Sequence, residues 1–136
     1  MRGYMKEKYG AVPARFFVKP SCVDFEHFKR KDGEASSRLK RELGLEGKLV
    51  CVYAGKIGGL YLEGEIFDFL RAAHDHWGGK FAALLLTDAS DEKVRALCER
   101  SGLPLTAIVK RYVQHRLIPA YLEIADFALT PVRPVP

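Results

Sequence analysis

An α/β, Rossmann-like fold, a parallel sheet with helices on both faces, is what this sequence predicts. Three observations carry that prediction. Apolar runs recur at "KLVCVYAG", "KFAALLLT", "LTAIVKR" and "DFALTP" with no clean polar alternation. Strands buried on both faces read that way. Amphipathic stretches separate the runs, which is the order a parallel sheet needs for its crossovers. Glycines, serines and aspartates sit at the junctions, where chains turn and helices cap.

Taken in order, Met1 to Tyr9 form a helical end closed by Gly10. "RFFVK", Arg15 to Lys19, is a short strand before Pro20, and Asp24 caps one helical turn in "PSCVDFEHF". "EASSRLKRELGL" places Leu39, Leu43 and Leu45 near helical spacing and stops around Gly44. After the strand "KLVCVYAG", the helix "EGEIFDFLRAAHDHW" carries Ile66, Phe67, Phe69, Leu70 and Ala73 on its apolar side. "KFAALLLT" follows, and Asp88 to Ser90 turn the chain. In "SDEKVRALCERSG", Ser90 caps, Asp91 and Glu92 complement the positive helix end, and Gly102 closes it. "LTAIVKR" is a third strand, "HRLIPAYLEIA" a short helix with Pro119 in its first turn, and "DFALTP" a fourth strand.

At 136 residues the chain has the length of one domain, and 48% hydrophobic with 29% charged residues is an ordinary globular composition. No apolar stretch approaches the roughly 20 residues that span a bilayer, and "MRGYMKEKYG" lacks the apolar core of a secretory signal. A cytoplasmic location is therefore expected. Cys22, Cys51 and Cys98, odd in number and widely spaced, argue against a disulfide framework and read as reduced structural thiols. The net charge of +5 suits phosphate-bearing ligands, nucleic acid or anionic lipid without choosing among them.

The stretch "AGKIGG" is the first candidate site. A strand ending at Gly55, a flexible loop and a helix start create a place where backbone N–H groups and the helix dipole face an anion. Gly55, Gly58 and Gly59 let the backbone approach closely, and Lys56 adds a point charge toward a diphosphate. The spacing matches neither the dinucleotide nor the P-loop fingerprint, so a tight turn with an exposed lysine stands beside the phosphate reading. In "VKRYVQHR", Lys110, Arg111 and Tyr112 follow a strand and are placed to hold a ribose or a base edge, or to form a solvated lip. One tyrosine is not the interleaved aromatic platform that single-stranded nucleic acid requires, so no nucleic-acid partner is expected.

No metal site is expected either. His74 and His76 are two apart on a helix and point to different sides, while His27 and His115 have no ligand-spaced neighbour. Glu63, Glu65 and Asp68 crowd a helix start, and Asp126 reads as a cap or turn residue. No Ser/His/Asp or Cys/His arrangement is evident.

The order "RFFVKPSCVDFEHF", "LVCVYAGKIG", "VQHRLIPAYLEIADFALTPVRP" resembles the C-terminal, nucleotide-sugar-binding half of group-one retaining glycosyltransferases with the two-domain GT-B fold. Pro20, Val23, Asp24 and Phe28 echo that family's Pro-x-Gly-Val-Asp-like turn. Gly55 and Lys56 look like its Gly-Arg pair, whose basic residue contacts the donor diphosphate. Pro119, Tyr121, Leu122, Ala125, Asp126 and Pro131 match its Pro-x-Tyr-Leu-x-x-Ala-Asp helix and the strand after it, the most specific part of a likeness that runs from Arg15 onward. Three departures stand out. Glu63-Gly64 occupies the region of the family's Lys-Gly pair, Cys22 stands where glycine is common, and the family's carboxylate motif would follow the strand at which this sequence stops.

The resemblance implies a truncated half of a GT-B fold, a single incomplete donor-binding domain over residues 1–136, inactive alone. It implies a nucleotide diphosphate sugar as donor substrate, no metal, and an N-terminal acceptor domain of the same polypeptide as partner. Lys56 would stabilise the leaving diphosphate, with the Gly58 and Gly59 amides as helpers. The parent enzyme would be cytoplasmic or peripheral at the inner face of a membrane. A non-catalytic Rossmann-like nucleotide-binding or regulatory module, and another sugar-nucleotide enzyme such as an epimerase, remain the alternative readings.

Overall fold

The computed structural model describes residues 2–10, 22–29 and 33–133. The strand expected at Arg15 to Lys19 lies outside them. Ahead of the sheet come helix α1 (Arg2–Tyr9), closed at Gly10, and helix α2 (Gly33–Glu42). Beyond α2 the Gly44 N–H bonds Arg41 O at 2.9 Å and the Leu45 N–H returns to Lys40 O at 2.8 Å, a glycine-closed end as the sequence predicts. Between them, Asp24 Oδ1 accepts from the Glu26 and His27 N–H groups at 3.0 and 3.3 Å, making the expected capped turn.

The sheet contains strands β1 (Leu49–Ala54), β2 (Phe81–Leu86), β3 (Ile108–Arg111) and β4 (Phe127–Leu129), in the order β3-β2-β1-β4 and parallel throughout. Helix α3 (Glu63–Trp77) links β1 to β2, α4 (Asp91–Ser101) links β2 to β3, and α5 (Ile118–Glu123) links β3 to β4. Because the last crossover passes β2 and lands beyond β1, the strand order reverses at β1. Open α/β sheets place ligands at such a switch point, outside the carboxyl ends of the strands.

Alternating residues of the central strands face two separate cores, which is why these strands show no polar alternation. Cys51 and Tyr53 of β1 join Phe81, Ala83 and Leu85 of β2 against α3 and α4, with Ile66, Phe67, Leu70, Val94, Leu97 and Cys98. Val50 and Val52 join Ala82, Leu84 and Leu86 against α2 and α5, with Leu39, Leu43, Leu45, Tyr121 and Ile124. The sheet is thus covered on both faces, the Rossmann-like α/β arrangement the sequence predicts. Burial in the first core pushes the Cys51 thiol up to about 12, so it stays neutral and inert. Cys98 is likewise buried. Cys22, expected to be alike, is exposed.

Helix α4 has the predicted ends: Ser90 Oγ accepts from the Lys93 N–H at 3.2 Å, and Gly102 follows the last turn. Two boundaries differ from expectation. Leu105 to Ala107 form a 3₁₀ turn, closed by the Ala107 N–H to Pro104 O at 2.9 Å, and β3 begins only at Ile108. The helix expected from His115 to Ala125 is divided into a 3₁₀ turn, His115–Leu117, and α5. Pro119 has no N–H to return to His115 O, and the Ile118 N–H makes that bond instead, tightening the turn. Phe69, expected on the apolar face of α3, is 44% exposed and lies edge-on to Phe127 with ring centroids 6.3 Å apart.

Asp126 does more than turn the chain. Its carboxylate Oδ2 accepts from the Val50 N–H at 2.7 Å while its own N–H donates to Val50 O at 2.9 Å. This reciprocal pair fixes the entry of β4 beside β1, with the Lys40 ammonium 3.7 Å from the same oxygen.

Candidate functional site

The carboxyl ends of β1, β2 and β3 are level. Ala54 pairs with Leu86 and Leu86 with Arg111, and the ladder runs one step further through the Gly55 N–H to Leu86 O and the Thr87 N–H to Arg111 O, both 3.0 Å. The next residues therefore emerge side by side on one rim. They line a cleft of about 460 Å³, floored by Gly55, Lys56, Thr87 and Asp88 and walled by Tyr112 and His115.

Lys56 lies on this rim, at the end of the strand where the order reverses. Among the described residues its ammonium forms no ion pair. Its carbonyl accepts a hydrogen bond from the Tyr53 hydroxyl. That tyrosine is buried beneath the loop, and burial first, then Tyr61, raises its pKa, so it remains a neutral donor. Gly55 has φ 153°, a conformation that side-chain-bearing residues rarely adopt, and its N–H already donates to the sheet. Gly55 accordingly contributes the turn, while Lys56 contributes a positive charge to the rim.

The other predicted residues disperse. Tyr112 lines the same cleft and is 79% exposed. Lys110 instead reaches the Asp91 carboxylate at the start of α4, 2.7 Å away, and that hydrogen bond holds the Asp91 carboxyl below its usual range. The Arg111 guanidinium folds onto the Lys110 carbonyl at 2.8 Å. Gly58 and Gly59 border a second, smaller cleft with Tyr61, Glu63, Lys93 and Arg133, apart from Lys56. The start of α3 carries Glu63 and Glu65, whose carboxylates complement its dipole there.

Two arrangements were beyond sequence reasoning. Lys93 of α4 meets Glu63 of α3 at 2.8 Å, and no local spacing joins residues on different helices. Its hydrogen bond is the main cause holding the Glu63 carboxyl below the usual range, against a smaller opposing effect of burial. His27 and His115, which show no relation along the chain, stack with ring centroids 5.9 Å apart and planes 16° from parallel, and Phe28 stands edge-on to both. The 22–29 segment thereby backs the wall of the main cleft.

Among the described residues no three histidine, cysteine, aspartate or glutamate side chains gather within metal-ligating reach, and no helix is long and apolar enough to cross a membrane. The fold and the rim together define a Rossmann-like α/β chain with an open, partly cationic cleft at the carboxyl edge of its sheet. Neither a protein-family model nor a curated protein matches the chain.

Proposed function

We propose that this chain binds the diphosphate of a nucleotide diphosphate sugar and forms the donor-binding part of a GT-B-type retaining glycosyltransferase. The single observation that carries the reading is the Lys56 ammonium, without an ion-pair partner among the described residues, at the carboxyl end of the switch strand and on the rim of a 460 Å³ cleft. The motif order in the sequence supplies the family.

In that reading Lys56 faces the diphosphate and Tyr112 and His115 flank the nucleoside. Negative charge grows on the diphosphate as the bond to the sugar breaks. A cation held in place before the reaction favours that charge-separated state over the intact donor. Lys110 and Arg111 are engaged with Asp91 and with the Lys110 carbonyl, and Gly58 and Gly59 line the second cleft, so this reading rests on Lys56. The acceptor belongs to a second domain of the whole enzyme. A cytoplasmic site of action, or one at the inner face of a membrane, is part of this reading, and the +5 charge is compatible with an anionic surface.

The second reading, a non-catalytic nucleotide-binding module, is supported by Glu63 near the start of α3, where the resembling family has a free cation. Calorimetric titration with ADP, GDP and UDP tests binding, and transfer from the corresponding sugar nucleotides by the full-length protein tests catalysis. Lys56→Ala is expected to lower turnover about 100-fold, the usual cost of removing one preorganised charge stabiliser. Unchanged turnover would remove Lys56 from the mechanism, and binding without transfer would favour the module.

A further inference from the structure

We infer that Lys93 is a positioning residue: through Ile57 and Glu63 it clamps the loop that presents Lys56, without lining the Lys56 cleft itself. The clamp is a matter of geometry, and its consequence for ligand binding rests on the nucleotide reading above.

Lys93 stands in the first turn of α4, where the Ser90 cap holds its backbone. From there its ammonium donates to the Ile57 carbonyl at 2.9 Å and to Glu63 Oε2 at 2.8 Å. One side chain thus joins three parts of the chain: the start of α4, the middle of the 55–59 loop and the start of α3. The Ile57 side chain is packed into the core between the sheet and α3 and α4, so its carbonyl is turned toward Lys93 from a fixed position.

The rest of the loop is held at its ends. Gly55 bonds Leu86, the Tyr53 hydroxyl bonds the Lys56 carbonyl, and the Leu62 N–H reaches Pro131 O at 3.3 Å. Between them the Tyr61 N–H reaches Gly58 O at 3.3 Å and the Arg133 N–H reaches Leu60 O at 2.8 Å, while Lys93 provides the side-chain hold at Ile57, one residue from Lys56. Gly58 marks how close the clamp is. A Cβ there would lie 2.8 Å from Glu63 Oε2 and 3.2 Å from Lys93 Nζ, and its φ of 101° already disfavours a side chain. The sequence "KIGG" is therefore shaped around an ammonium supplied from thirty-five residues further along. With two fixed acceptors and a place outside the main cleft, Lys93 acts through the loop.

The test compares wild type, Lys93→Ala, Lys93→Arg and Glu63→Gln by backbone hydrogen exchange and by calorimetric titration with ADP, GDP and UDP. A charge-assisted bond of ordinary strength predicts that Lys93→Ala speeds exchange of the loop amides 56–59 about 10-fold relative to β1 and β2, and weakens nucleoside diphosphate binding by a similar factor. Lys93→Arg, which keeps a cation of similar reach, should recover most of both. Glu63→Gln, the milder change, should shift both about 2-fold to 3-fold.

Loop exchange unchanged in Lys93→Ala would overturn the inference whatever the ligand. A loosened loop with undiminished nucleotide affinity would overturn the positioning of Lys56. A loosened loop in a protein that binds no nucleoside diphosphate even as wild type would uphold the clamp and reject the nucleotide reading instead. Should Lys93→Ala fail to fold, the Arg and Gln variants carry the same comparison.

Discussion

Two lysines attend the glycine loop after β1, and they stand in opposite conditions. Lys93 has both a carbonyl and a carboxylate within hydrogen-bond distance, whereas Lys56, on the cleft side, has no ionic partner among the described residues. An ammonium with fixed acceptors is already part of the architecture. One held at a rim without them keeps its charge for an incoming anion. Equal formal charge along the sequence therefore conceals unequal availability, and the same contrast separates Lys110, matched to Asp91, from Lys56.

The contrast yields predictions of decreasing size. Asp126, whose Oδ2 accepts from the Val50 N–H and lies beside Lys40, should matter most to stability: Asp126→Ala leaves the Val50 N–H at the start of the central strand without its acceptor, at about 2–3 kcal/mol in urea unfolding. Asp126→Asn, which retains an oxygen acceptor, should lose less. Gly58→Ala should cost about 2 kcal/mol, from the strained φ and the displaced Glu63 carboxylate. A loss below about 0.5 kcal/mol would mean the clamp yields easily and would blur the comparison.

Lys56→Ala should separate the two lysines most cleanly. Stability should stay within about 0.5 kcal/mol of wild type, while nucleoside diphosphate affinity falls about 10-fold, roughly 1.4 kcal/mol. Smallest is the pH effect of Glu63. Its folded pKa lies below the unfolded one, so its contribution is present above the ordinary glutamate pKa of about 4.3 and disappears as pH falls through the lowered folded value. Both side chains of the pair are more than a third exposed, which keeps the amplitude below about 1 kcal/mol. Unfolding of wild type and Glu63→Gln should thus differ slightly at neutral pH and converge once the pH has fallen below the lowered folded value. A difference that persists in acid would show the contact is not ionic.

How much could be read in advance follows from the range of each force. Helices α3 and α4 announce themselves because apolar periodicity, the Ser90 cap and the closing Gly102 are local. The double burial of β1 and β2 shows in their unbroken apolar runs. The reversal of strand order at β1 does not, since no residue within a strand records which neighbour lies beside it. At the site, Gly55 and Lys56 were legible as a strand end meeting a glycine turn. The engagement of Lys110 by Asp91, nineteen residues upstream, was not, because a side chain's partner across a crossover depends on where the next strand lands. His27 against His115 is the same lesson over a longer separation.

The chain's one tryptophan lies at an informative junction. Trp77, ending α3, stacks on Phe81 at the start of β2, centroids 6.0 Å apart, and tilts against Phe127 at the start of β4, 6.2 Å away. Its indole emission is consequently a built-in optical gauge of whether β4 is seated beside β1. Detachment of that strand would register as a change in fluorescence while circular dichroism still recorded an intact helical signal, with no label required.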